Sequence, residues 1–214
     1  MLKLYSYWRS SASYRVRIAL NLKGLPYEIE PVHLVRDGGQ QHSAAYRAIN
    51  PQSRVPLLVD GPFRLNQSQA ILEYLEARHP QPSLLPGDMR QQARIRAFCM
   101  TITADVQPLQ NTSVLKYLEA PLGVAEAART EWLRHWITRG LEALEQEYAA
   151  TAAAFVFGDA PTMAECVLVP QLYAAARFDC DVARFRRLAD IGERCAALPA
   201  FQRAHPDVQP DAGG

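Results

Sequence analysis

The chain has 214 residues, with 23 Lys+Arg against 22 Asp+Glu and a formal net charge of +1. A balance so close to zero excludes a protein that holds nucleic acid by charge alone, and no apolar run approaches the roughly 20 residues of a membrane span. Cys99, Cys166, Cys180 and Cys195 stand far apart, with no C-x-x-C pair and no zinc spacing; the pattern predicts no metal site, no disulfide framework and a reducing, cytoplasmic setting.

The charge is uneven along the chain. Residues 1–80 carry 10 Lys+Arg against 6 Asp+Glu, a surplus of +4, and residues 81–214 carry 13 against 16, a deficit of −3. A mildly positive first segment suits a small anionic ligand better than a long polyanion.

In chain order, Leu2, Leu4 and Ser6 alternate with Lys3, Tyr5 and Tyr7, the period of a strand rather than of a leader peptide. Ser10 and Ser11 are candidate N-caps of a helix through Val16, Ala19 and Leu20, which Gly24 stops. Tyr27 to Val32 reads as a second strand and Ala44 to Ile49 as a short helix ended by Asn50-Pro51. Leu57–Val59 and Phe63–Leu65 flank Asp60-Gly61, a hairpin signal. A third helix begins at Ser68. The order β-α-β-α-β-β-α predicts an α/β domain with a mixed sheet over residues 1–82.

Pro80, Pro82, Pro86 and Gly87 read as a linker, and residues 88–214 as an all-helical domain. Ile95, Phe98, Ile102, Val106 and Leu109 share one helical face, as do Trp132, Trp136, Leu141, Leu144 and Tyr148. Thr162 and Glu165 form a capping box for a helix apolar on every side, with a kink expected at Pro170. The segment from Pro206 to Gly214 reads as a mobile tail.

Four clusters exceed what architecture requires. Arg9-Ser10-Ser11-Ala12 lies where the first strand meets its helix, a place that favours an anion; two adjacent serines cannot both cap, so one hydroxyl is spare. Val55-Pro56 enters a strand, and a cis bond there leaves backbone groups open to a peptide-like ligand, an edge-strand proline being the simpler reading. Asn66-Gln67-Ser68-Gln69 marks a strand-to-helix junction; capping by Ser68 leaves Gln67 unexplained. Gln107 to Ser113 is an amide and hydroxyl cluster interrupting an apolar helix face, for which solvated surface is the default explanation.

Taken together these residues resemble the zeta-class glutathione transferases, the group that includes maleylacetoacetate isomerase. The likeness runs through Ser10-Ser11-Ala12-Ser13-Tyr14-Arg15-Val16-Arg17-Ile18-Ala19-Leu20, Asp37 to Gln41, Asn50 to Pro56, Gln107 to Lys116, Gly158-Asp159 and Val169-Pro170-Gln171, ending at Gln209-Pro210-Asp211. The family's serine-serine-cysteine signature has Ala12 in its third place, which puts in doubt any role for a protein thiol. The resemblance implies a thioredoxin-like domain followed by an all-α domain, usually as a homodimer, with glutathione as cofactor. It assigns Ser10, with Ser11, to the glutathione sulfur, and Gln41, Val55, Pro56, Gln67 and Ser68 to the tripeptide. Gln107, Asn111, Thr112 and Ser113 would reach the ligand from the helical domain, and Arg9 and Arg177 would orient an anionic substrate. The reaction implied is cis–trans isomerisation of maleylacetoacetate. Maleylpyruvate isomerisation, transfer or dehalogenation on small α-haloacids, and ligand carriage without turnover remain alternatives. A surface salt bridge to Asp179 or Asp181 is the competing account of Arg177. Arg15 and Arg17 are expected to face solvent or a partner subunit.

Overall fold

β1 (Leu2–Ser6) buries Leu2, Leu4 and Ser6 and leaves Lys3 and Tyr5 half-exposed, as its period of two dictates. In this computed structural model, which describes residues 1–150 and 152–213, β1 pairs in parallel with β2 (Tyr27–Pro31). A parallel pair needs a crossover, and α1 (Ser11–Leu22) supplies it. After the short α2 (Ala44–Ile49), β3 (Leu57–Asp60) pairs antiparallel with β1 and with β4 (Phe63–Asn66) across the Asp60-Gly61 turn. The sheet is therefore mixed, in the order β2-β1-β3-β4, and α3 (Ser68–Arg78) follows it directly.

Every residue of α1 from Ser13 to Leu20 is buried, because α3 packs against one side and α9 (Pro199–Ala204) against another. This corrects the expectation for Arg15 and Arg17, which are 1% and 0% exposed: a helix enclosed on its flanks offers no solvent face. Their guanidinium groups are accommodated by hydrogen bonds, Nη1 of Arg15 to Ser68 Oγ (3.2 Å) and Nε of Arg17 to the Ala204 carbonyl (3.0 Å). A buried cation is tolerable only with such partners.

The chain divides into two compact units, residues 1–84 with 196–214, and residues 85–195. A single cut at the proline-rich segment does not describe this, since α9 and the tail return to the first unit. Nor does the tail match the mobile reading. Gln209 is buried and donates to the carbonyls of Arg203 and His205 at 3.0 and 2.8 Å.

The second unit holds α4 (Met89–Met100), α5 (Thr112–Glu119), α6 (Glu126–Tyr148), α7 (Met163–Arg177) and α8 (Arg186–Ala196). Ile95, Phe98, Ile102 and Val106 are buried as their spacing predicts. The helix carrying them does not stay regular, however. Thr101–Val106 winds as a π-helix and Gln107–Gln110 as a 3-10 turn before Asn111 caps α5. Pro108, which has no N–H to donate, sits in that turn, and Gly140 of α6 lies so close that an added Cβ would stand 2.1 Å from Val106 Cγ2. α7 opens with the expected capping box and continues as one helix through Pro170. Burial pushes the Glu165 carboxyl above its ordinary range, against the opposing effect of donors from Thr162 and Val156. Among the described residues no helix is long and apolar enough to cross a membrane.

Candidate functional site

In the first unit the turn after β1 presents Arg9 and Ser10. Ser10 is the N-cap of α1, its Oγ accepting from the Ser13 amide at 3.2 Å. Ser11 is the first helical residue, so the choice between adjacent serines falls on Ser10 as cap. Capping occupies one lone pair and leaves the hydroxyl hydrogen to donate elsewhere. An anion placed there also meets the positive end of the helix dipole. The Arg9 guanidinium carbon lies over Trp8, 4.7 Å from its ring centroid, with Nη2 donating to the Tyr7 hydroxyl at 3.2 Å.

A second part of the site is the loop from Asn50 to Pro56. The Val55-Pro56 bond is cis, which the sequence left open. Asn50, 1% exposed, organises the loop. Its Nδ2 and the Tyr46 hydroxyl both donate to the Arg54 carbonyl at 2.7 Å, while its Oδ1 accepts from the Gln52 amide and from Asn66 Nδ2. Burial pushes the Tyr46 hydroxyl up to about 12, so it remains a donor throughout the physiological range. Val55 shares an apolar cluster with Tyr7, Val32 and Tyr46, with Trp8 packed against it. That cluster sets the Val55 segment beside the turn of Ser10.

A third element is the junction of β4 and α3. The sequence assigns the cap to Ser68, and the structure moves it one residue: Gln67 holds the cap position and makes no side-chain cap bond. Its φ of 68° lies in the left-handed region, uncommon and costly for a residue with a side chain, and such residues gather at functional sites. Gln67 Nε2 donates instead to Gln52 Oε1 at 2.9 Å. Ser68 Oγ, in a buried residue, accepts from Arg15. With that lone pair engaged, its hydrogen is directed away from the guanidinium.

Gln41 completes the first unit's set. It is buried, Nε2 reaches the Leu34 carbonyl at 3.4 Å, and Oε1 is buried with no hydrogen-bond partner among the described residues. Gly39 beside it has a φ of 102°, which favours glycine, and a Cβ there would push against the Gln41 amide.

The remaining residues belong to the second unit. Asn111 Oδ1 accepts from the Ser113 amide and hydroxyl, both at 3.1 Å. Gln107 and Asn111 are half-buried; Thr112 and Ser113 are exposed. Arg177 ends α7, exposed, with its guanidinium 5.3 Å from the Phe178 ring centroid. Asp179, a rival partner, pairs with Arg134 at 3.1 Å. The Gln107–Ser113 cluster thus marks a change of helix type rather than an interrupted face.

The sequence gives Asn50, Gln52 and Arg15 no role in the site. Asn50-Pro51 carries an obvious helix stop, which masks the loop-building role. Arg15 had a signal, a charge inside an otherwise apolar stretch of helix.

Comparison with known proteins follows the same lines. Residues 4–83 match the family model of the glutathione S-transferase N-terminal domain. A probable maleylacetoacetate isomerase of Vibrio cholerae is 47% identical over 209 residues, covering 98% of this chain and 97% of that protein. The holo structure of a maleylpyruvate isomerase, a bacterial glutathione S-transferase of the zeta class, superposes with a TM-score of 0.95 at 42% identity, covering 99% of this chain and 100% of that one. The maleylacetoacetate isomerase of Anaeromyxobacter dehalogenans, with GSH bound in its active site, gives a TM-score of 0.88 at 48% identity, covering 99% and 98%.

Proposed function

The chain belongs to the zeta class of the glutathione transferases, and from that premise we propose that it isomerises maleylacetoacetate to fumarylacetoacetate with glutathione as cofactor. The observation that carries the proposal is the Ser10 hydroxyl, which caps α1 through its oxygen and keeps its hydrogen for a sulfur at the helix N-terminus.

The residues present fit glutathione. The buried Gln41 Oε1 lacks a partner and accepts an N–H, the Val55 backbone offers strand-like pairing, and Ser68 at the start of α3 donates to a carboxylate. Gln67 stands with Ser68 at the γ-glutamyl end. Bound glutathione supplies the sulfur nucleophile, which adds to the conjugated cis double bond, allows rotation about the resulting single bond and leaves again. The chain's own part is to stabilise the thiolate and orient the substrate. A free thiol ionises near pH 8.5, and lowering that to about 7 requires roughly 2 kcal/mol. A helix N-terminus contributes about 0.3–1 kcal/mol and a hydrogen bond to the charged sulfur about 1.5–3. The two suffice without a catalytic base or a protein thiol, consistent with Ala12 in the signature.

Arg9 is assigned to the developing charge on the substrate oxygens, and Arg177 of the helical unit to its terminal carboxylate. Gln107, Asn111, Thr112 and Ser113 are the helical unit's polar contributors. We assign glutathione binding to the unit of residues 1–84 with 196–214 and substrate binding to residues 85–195, with a homodimer in the cytoplasm as the working form.

The test is the absorbance change of maleylacetoacetate with enzyme, with and without glutathione. Glutathione-dependent conversion to the fumaryl product is expected; no conversion, with glutathione still bound, would move the reading to haloacid transfer or ligand carriage. The similarity to a maleylpyruvate isomerase at a TM-score of 0.95 favours a second substrate, and the ratio of the two rates decides between them.

A further inference from the structure

The turn that presents Ser10 is gripped from both sides at Trp8. Arg17, fully buried, donates Nη2 to the Trp8 carbonyl at 2.9 Å and Nη1 to Ser6 Oγ and the Tyr7 carbonyl at 3.1 and 3.4 Å. The Tyr7 carbonyl also accepts from the Ser10 amide at 3.0 Å. The Trp8 amide is held by a residue 203 positions away, donating to Asp211 Oδ2 at 3.0 Å. Asp211 Oδ1 is buried with no hydrogen-bond partner among the described residues, so the carboxylate's hydrogen bonding there is directed at this one amide.

The segment carrying Asp211 is itself fixed. Arg17 Nε donates to the Ala204 carbonyl, Gln209 Nε2 to those of Arg203 and His205, and the Ala212 amide to that of Gln209. One buried guanidinium therefore ties the turn to the C-terminal segment, and Asp211 closes the loop back onto Trp8. A charged acceptor makes the stronger kind of hydrogen bond, and its donor lies two residues before Ser10.

We propose that Asp211 is a positioning residue: from the C-terminal end of the chain it sets the Tyr7–Ser10 turn, and through that turn the aim of the Ser10 hydroxyl at the glutathione sulfur. This rests on the isomerase reading for the identity of the sulfur. A donor displaced by about 1 Å at a reacting centre costs on the order of a hundredfold in rate, so a contact remote from the chemistry has a readable effect.

The experiment compares Asp211→Ala and Asp211→Asn in the full-length protein. Asparagine keeps an oxygen for the Trp8 amide; alanine does not. For Asp211→Ala, kcat is expected to fall about tenfold, the loss of roughly one hydrogen bond to a charged group. KM for glutathione should change little, and Tm should fall by only a few degrees, the worth of that one hydrogen bond. The fraction of bound glutathione present as thiolate at pH 7, read by ultraviolet difference absorbance, should fall as well. Asp211→Asn should restore both to within about twofold, a small fraction of one hydrogen bond's worth. Wild-type kcat and thiolate fraction in Asp211→Ala would overturn the proposal. So would equal losses in both variants that track Tm, which mark a merely structural contact. A wild-type enzyme that binds glutathione but isomerises neither maleyl compound defeats the substrate reading alone, and the thiolate comparison then decides the role of Asp211.

Discussion

The two units hold their candidate residues in different ways. In the first, each of the site's segments is backed by buried polar groups: Trp8 by Arg17, Ser68 by Arg15, and the Arg54–Val55 peptide by Asn50 and Tyr46. In the second, Thr112, Ser113 and Arg177 are exposed, and the Asn111 side chain is engaged with its own helix start. The contrast teaches where preorganisation is concentrated. Residues assigned to the invariant cofactor are fixed before it arrives, which reduces the ordering cost of binding. The helical unit presents its candidates nearer the surface instead.

The contrast is testable on both sides. Ser10→Ala should lower kcat by about 10²–10³, the usual loss when one donor to a developing or stabilised anion is removed. Loss of the cap should cost about 1 kcal/mol of stability while the fold persists; circular dichroism melts beside steady-state rates check both. An unchanged rate removes Ser10 from its role.

The bracing of the first unit extends to its acid sensitivity. The Lys23 side chain, 0% exposed, donates to Glu76 Oε2 and to the His79 and Pro82 carbonyls. Burial alone would raise the Glu76 carboxyl, but Lys23, the Leu84 amide and Ser83 outweigh it and hold it below its ordinary range. Because the folded value is depressed, the stabilisation is present above the ordinary carboxylate range and is lost as pH falls through the depressed value. Glu76→Gln leaves the buried ammonium without its counter-charge, and should cost about 3 kcal/mol at neutral pH. The gap to wild type should narrow in acid; urea titrations at pH 7 and pH 3 measure it.

In the second unit, Gly140→Ala drives a Cβ into Val106 and should destabilise by about 1–3 kcal/mol. It should also raise KM for the dicarboxylate, since the displaced π-helical turn leads into Gln107–Ser113. A KM for glutathione rising by the same factor would break the contrast. Arg177→Ala is expected to have the smallest effect, raising KM for the dicarboxylate about tenfold, one charged hydrogen bond's worth, with Tm unaltered. Equal effects on both substrates would mark Arg177 as structural.

Much of this was legible in the residues themselves. The strand period of Leu2–Ser6, the Asp60-Gly61 hairpin and the Thr162–Glu165 box act over a few positions, and each is found in place. What escaped the reading depends on long-range packing. Arg15 and Arg17 look like surface residues because nothing nearby in sequence shows that α3 and α9 will enclose α1. The cap moved from Ser68 to Gln67 because local preference for serine yields to a backbone turned to positive φ. The regular helix expected through Leu109 gives way where Gly140, some thirty residues on, presses close to Val106.

The return of α9 to α1 has a consequence for how the protein is made. The partner of Arg17 Nε is the Ala204 carbonyl, 187 residues downstream. At about 5–20 residues per second, synthesis of the intervening chain takes on the order of ten seconds. Through that interval the emerging sheet and α1 exist without α9, and Arg17 has Ser6, Tyr7 and Trp8 to donate to while the partner of its Nε is not yet translated. The first unit to begin is thus among the last to be finished. A ribosome-bound chain stopped near residue 85 should expose the α1 flank that α9 later covers, and offer a binding surface to chaperones that the completed protein no longer has.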